Sequence, residues 1–86
     1  MFRYMIELYP NGYYTGGIVH IVRYMNRSTP WQGTKAFLEV LRAYTPKGTW
    51  TAAYEHSVAF DVYSALCNGR STHVDINGMS IAIDWE

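Results

Sequence analysis

Asn77-Gly78 stands between two runs in which apolar and polar residues alternate, and this segment narrows the possible folds more than any other in the chain. A two-residue type I′ turn needs positive φ at both positions, which Asn and Gly accept at the least cost. With those two as the turn, Ile76 faces Met79, Asp75 faces Ser80, Val74 faces Ile81, His73 faces Ala82, Thr72 faces Ile83 and Ser71 faces Asp84. One face then carries Val74, Ile76, Met79, Ile81, Ile83 and Trp85, a core face. The other carries Ser71, His73, Asp75, Ser80, Ala82 and Asp84, a face for water. A slip of one residue would exchange the two faces of a limb, so a firm register is expected.

A similar pattern opens the chain. Phe2, Tyr4, Ile6 and Leu8 alternate with Arg3, Met5, Glu7 and Tyr9, as in a strand with one side on a core. Pro10-Asn11-Gly12 suits a type I turn closed by a glycine bulge, so a first hairpin is expected. Its return limb, residues 16–25, fits two patterns. The β-branched residues favour a strand, whereas Ile18, Ile21, Val22 and Met25 also match a helical stripe. The strand is preferred; apolar on both sides, it would be covered at the centre of a sheet or would offer its outer face to a partner.

Two helices fill the middle. Thr29 can cap, Pro30 suits the first helical position and Gln32 completes a capping box, although Gly33-Thr34 weakens that turn and leaves Lys35 as an alternative start. Phe37, Val40, Leu41 and Tyr44 form the apolar stripe, with Lys35, Glu39 and Arg42 opposite at ion-pairing distance, and Thr45-Pro46-Lys47-Gly48 ends the helix. The second runs from a Thr51 cap through Ala52, Val58, Ala59, Val62, Tyr63 and Leu66 to Asn68-Gly69. The short connector makes the helices an antiparallel pair. The expected fold is α+β: an antiparallel β-sheet built from the N- and C-terminal hairpins, with two helices packed on one face in the order ββααββ. A helix at residues 18–25 would give βαααββ instead.

With 86 residues the chain is expected to be a single domain, 1–86, which buries only about three-fifths of its unfolded surface. Three Trp, eight Tyr and three Phe are many for one small core, so some rings are expected outside it. Exposed Tyr and Trp are enriched at protein interfaces, offering a stiff apolar body and a polar tip. The formal net charge is zero, against the strongly cationic surface of non-specific nucleic-acid binders. Residues 1–48 nevertheless carry +4 and residues 49–86 carry −4. A basic and an acidic end follow if the fold separates these halves; the charges largely cancel if the hairpins share one sheet. Cys67 stands alone, which excludes an internal disulfide, points to the cytoplasm and suggests a small buried residue near a helix end. No run is long enough to span a bilayer, and Met1-Phe2-Arg3 leads into a strand pattern rather than a signal peptide.

His73, Asp75, Ser80 and Asp84 share one face of the closing hairpin, which is raw material for acid–base or metal chemistry. Such chemistry needs a concave, partly dry site, and alternating polar residues are what the outer side of a sheet presents anyway. His20, His56 and His73 lack a zinc spacing, Ser57, Ser64 and Ser80 lack a nucleophile-elbow context, and Cys67 lacks the signature of an activated thiol. Gly16-Gly17 has no phosphate-loop Lys-Ser/Thr. No catalytic, cofactor-binding or metal-binding residue is assigned, and the chain is not expected to be an enzyme.

Arg23, Tyr24, Arg27, Trp31, Lys35, Arg42, Tyr44, Lys47 and Trp50 mix cations with flat rings, a combination used both in protein hot spots and in grips on single strands. Trp31 and Trp50 could also plug helix ends against the core. An equal number of acids in the chain favours a protein partner, such as a nucleic-acid-handling complex, over direct nucleic-acid binding through the stretch 23–50. The expected contacts are Tyr13, Tyr14, Tyr24, Arg27, Trp31 and Trp50, in or beside loops or at helix ends. A homodimer through residues 18–25 is a further expectation. In compactness, aromatic load and lack of a reactive motif the chain resembles, in build rather than in motif, the small inhibitors of phages and mobile elements, such as anti-CRISPR proteins. That resemblance implies a protein that works by occupying a partner's surface.

Overall fold

β1 (Tyr4–Tyr9), β2 (His20–Met25), α1 (Pro30–Ala43), α2 (Ala52–Cys67), β3 (Thr72–Ile76) and β4 (Met79–Trp85) follow one another along the chain. The computed structural model describes residues 3–15, 17–46, 48 and 51–85. All four strands pair antiparallel in one sheet of order β2-β1-β4-β3, giving the α+β fold with ββααββ order. The described residues measure 33 × 32 × 18 Å, the thickness of one helical layer on one sheet.

The closing hairpin has the expected register from Thr72↔Ile83 to Ile76↔Met79, and Asn77 and Gly78 take the positive φ values of 49° and 82° that a type I′ turn requires. Its core face, joined by Tyr4 and Ile6 of β1, packs on Phe37, Val40 and Leu41 of α1 and on Val58, Val62 and Leu66 of α2. The face expected to be wet is partly covered, because Ser80 and Ala82 are buried. For Ser80 the reason is the β1–β2 connection. Gly12 N–H donates to the Tyr9 carbonyl at 3.1 Å, so the expected turn forms, but the chain does not return at once. The Tyr13 backbone N–H donates to Ser80 Oγ at 3.0 Å, and the Tyr13 ring stacks on His73 on the side of the sheet away from the helices.

Residues 20–25 are a strand, but β2 lies at an edge of the sheet rather than at its centre. Ile18, Val19, Ile21 and Tyr24 are exposed there. Ile6 pairs with Arg23 and Glu7 with Ile21, which leaves Val22 as a bulge. Both outcomes foreseen for charge hold in part. The hairpins share one sheet through β1 and β4, yet β2 with Arg23 and β3 with Asp75 occupy opposite edges.

α1 starts at Pro30 rather than Lys35. Thr29 Oγ1 accepts from Gln32 N–H at 3.2 Å while Thr29 N–H donates to Gln32 Oε1 at 2.9 Å, a complete capping box. Gly33 permits close approach: a Cβ there would lie 2.9 Å from Leu66 Cδ1 and 3.0 Å from the Tyr4 ring. The charges opposite the stripe pair across elements rather than along the helix. Glu39 binds Arg23 of β2 at 2.8 Å, and Arg42 binds Glu55 of α2. α2 closes with Gly69 N–H on the Leu66 carbonyl and Arg70 N–H on the Ala65 carbonyl, a Schellman end. Cys67 near that end is exposed, not buried. No helix among the described residues is long and apolar enough to cross a membrane.

Candidate interaction surface

On the face of the sheet away from the helices, the pairing of β1 with β4 sets Met5 opposite Asp84 and Glu7 opposite Ala82, so the Glu7 and Asp84 side chains are diagonal neighbours. Their carboxyls meet. Burial first, then the hydrogen bond and charge of Asp84, push Glu7 up to about 7. Tyr9, whose hydroxyl reaches Glu7 Oε1 at 3.5 Å, is pushed up to about 12 by burial and by the same two carboxylates. The charge of Asp84, more than burial, also raises Tyr13.

The His73, Asp75 and Ser80 groups are committed to holding the β1–β2 loop. Ser80 Oγ donates to Asp75 Oδ1, His73 Nε2 lies 3.6 Å from that same oxygen, and the Tyr13 and His73 rings are 4.1 Å apart at 3°. Among the described residues no three His, Cys, Asp or Glu side chains are placed to hold a metal ion. The Glu7–Asp84 pair was not legible in the sequence, because β1–β4 pairing joins residues from opposite ends of the chain.

The outer side of the helical layer is different in character. α2 buries Val58, Val62, Ala65 and Leu66, and its exposed side mixes the polar His56, Ser57 and Asp61 with large rings. Here Phe60 is 69% exposed, and Tyr63, expected in the core stripe, is also exposed. The reason is geometric: Val58, Val62, Ala65 and Leu66 fill the arc facing the sheet, and Tyr63 falls about a sixth of a turn beyond its edge. Trp31, on the first turn of α1 and 60% exposed, meets Tyr63 edge-on at 6.3 Å between ring centroids. Phe60 lies three residues from Tyr63, a spacing that sets it on the neighbouring outer side of α2, so the Trp31–Tyr63 contact and exposed Phe60 make an aromatic ridge across both helices.

The six expected contacts do not make one patch. Tyr13 is half-buried between His73 and Tyr9, while Tyr14 is exposed and stands edge-on to Tyr13 and His73. Tyr24 lies on β2, where the Arg3 guanidinium packs on its ring and meets its hydroxyl. Arg27 is exposed between β2 and α1 with a positive φ of 52°. Trp31 belongs to the ridge, together with Phe60 and Tyr63, which were not among the expected contacts. Trp50 lies outside the described residues. No protein-family model matches this chain, and no curated protein and no solved structure matches it either.

Proposed function

We propose that this chain is a non-enzymatic protein-binding module that seats the Trp31–Tyr63–Phe60 ridge against a partner. The observation that carries this reading is the outer side of the helical layer, where Trp31, Phe60 and Tyr63 are exposed and Trp31 meets Tyr63 edge-on. Large exposed rings gathered in one place cost solubility in a free protein and serve as anchors when a partner covers them. An inhibitor of the kind that phages and mobile elements encode, anti-CRISPR proteins among them, is the specific form of this reading, acting in the cytoplasm on a nucleic-acid-handling complex. The pairing of Arg23 with Glu39 and of Arg42 with Glu55 weighs against a phosphate-tracking groove, since two cations of the basic stretch already face carboxylates.

Capture from the source organism tests the reading, comparing the natural chain with the Trp31→Ala/Phe60→Ala/Tyr63→Ala variant. The expected result is one protein retained by the first and lost from the second, unaffected by nuclease. Equal retention by both, or retention of nucleic acid alone with a steep loss as salt rises, contradicts it.

Self-association through β2 is a second reading, favoured by exposed Ile21 on a strand that pairs only with β1 among the described residues and by exposed Ile18 and Val19 just before it. Sedimentation at increasing concentration should then show a dimer that Ile21→Lys abolishes; a monomer at every concentration rejects it.

A further inference from the structure

The flank of α2 turned away from α1 borders a groove of about 350 Å³, in which Tyr54, Val58, Asp61 and Val62 face residues 72–75 of β3. β3 is the last strand of the sheet and, among the described residues, pairs only with β4. In a hairpin closed by a two-residue turn the closing pair, Ile76 with Met79, is hydrogen-bonded, and pairs alternate from there. His73 and Asp75 therefore fall in non-hydrogen-bonded pairs, and their backbone N–H and C=O groups point away from β4 to the open edge. An extended chain laid along that edge would meet two donors and two acceptors already in place.

The side chains beside that edge state what such a chain must carry. Val58, Val62 and Val74 supply an apolar floor; Asp61 and Asp75 stand exposed at the rim, and no Lys or Arg lines the groove. A strand sends alternate side chains to opposite sides, so one set would enter the groove toward Val58 and Asp61 and the other would lie beside Asp75. We propose that the β3 edge and the groove walled by α2 take an extended segment of a partner protein, with apolar and Lys or Arg side chains, as a fifth strand. The site is separate from the aromatic ridge. Tyr63 turns toward Trp31 of α1, whereas Tyr54 and Asp61 turn toward β3, so the two surfaces can fail independently.

The test uses three fluorescein-labelled peptides and the full chain. One alternates valine and arginine, the second replaces arginine with glutamate, and the third is the arginine peptide with N-methyl groups at alternate backbone positions. Fluorescence anisotropy should show the arginine peptide binding, with the glutamate and N-methyl peptides at least tenfold weaker. Asp61→Lys, at an exposed helix position, should weaken the arginine peptide at least tenfold while leaving capture by the ridge unchanged. Amide chemical shifts should move at His73 and Asp75. Absence of binding, equal affinity for all three peptides, an unaltered Asp61→Lys variant or shifts confined to other residues would each overturn the proposal. So would concentration-dependent self-association in sedimentation accompanied by amide shifts at His73 and Asp75 without any peptide, since a second copy would then occupy this edge.

Discussion

The two helices bury comparable stripes and face water in opposite ways. Past its first turn, where Trp31 is exposed, α1 divides cleanly: Ala36, Phe37, Val40 and Leu41 go inward, and Lys35, Glu39 and Arg42 go outward, two of them bound to neighbouring elements. α2 also packs its stripe, but its exterior holds Tyr54, Phe60 and Tyr63. Both exteriors belong to one layer of one small domain, so general hydrophobicity does not explain the contrast. Beyond Trp31, the outside of α1 meets solvent and ties the fold together through ion pairs, whereas that of α2 leaves Phe60 and Tyr63 in water, the surface that the proposed binding would cover.

The sharpest way to break that contrast is a pair of matched truncations. Phe37→Ala should cost about 3–5 kcal/mol by urea unfolding, since a fully buried ring leaves a cavity beneath α1. Phe60→Ala on α2 should stay within about 0.5 kcal/mol of the natural chain, as befits a side chain that mostly meets water. If the two costs were similar, Phe60 would be part of the core and the distinction between the exteriors would fall.

A smaller effect tests how closely α1 lies on the core. In a solvent-facing helix, Gly→Ala gains about 1 kcal/mol. Gly33→Ala should instead lose about 1–2 kcal/mol, because the added methyl meets Leu66 and the buried Tyr4 ring, and a ring that packs against Trp85 has little room to yield. A gain in stability would mean that the helix sits farther from Tyr4 than described.

On the opposite face of the sheet, Glu7 gives a pH signature that neither helix shares. Its folded value of about 7 lies above the ordinary 4.5, so the folded chain holds this proton more tightly than the unfolded one. Stability contributed by the neutral form is complete below the unfolded value and is lost as pH rises from about 4.5 through about 7. With allowance for the solvent that reaches this face, the loss should be about 1–2 kcal/mol. Glu7→Gln should remove it, making the variant the more stable protein at pH 8. An unchanged pH profile of urea midpoints would contradict the pairing with Asp84.

Local chemistry explains why so much of the fold could be read from residues alone. Asn77-Gly78, the Thr29–Gln32 box and Asn68-Gly69 each act within a few positions, and each produced the turn, start or end expected of it. What failed depended on contacts distant in sequence. Ser80 lost its wet face to a loop 67 positions earlier in the chain, as the Tyr13–Ser80 bond shows. Gly33 read as a weak point because its neighbours Tyr4 and Leu66 are brought to it only by the fold. The ridge was half legible: Trp31 stood out as an aromatic at a helix start, but the blurred periodicity of α2 left no single stripe from which to exclude Tyr63 or to single out Phe60.

Hydroxyl-radical footprinting of the captured complex tests the central claim most directly, because it reports the coverage of each aromatic side chain. With the partner bound, oxidation of Trp31, Phe60 and Tyr63 should fall several-fold, while exposed Tyr44 at the far end of α1 keeps its free rate. Undiminished oxidation of all three ridge residues in a complex shown to be intact would contradict the assignment of α2's outer side as the binding surface.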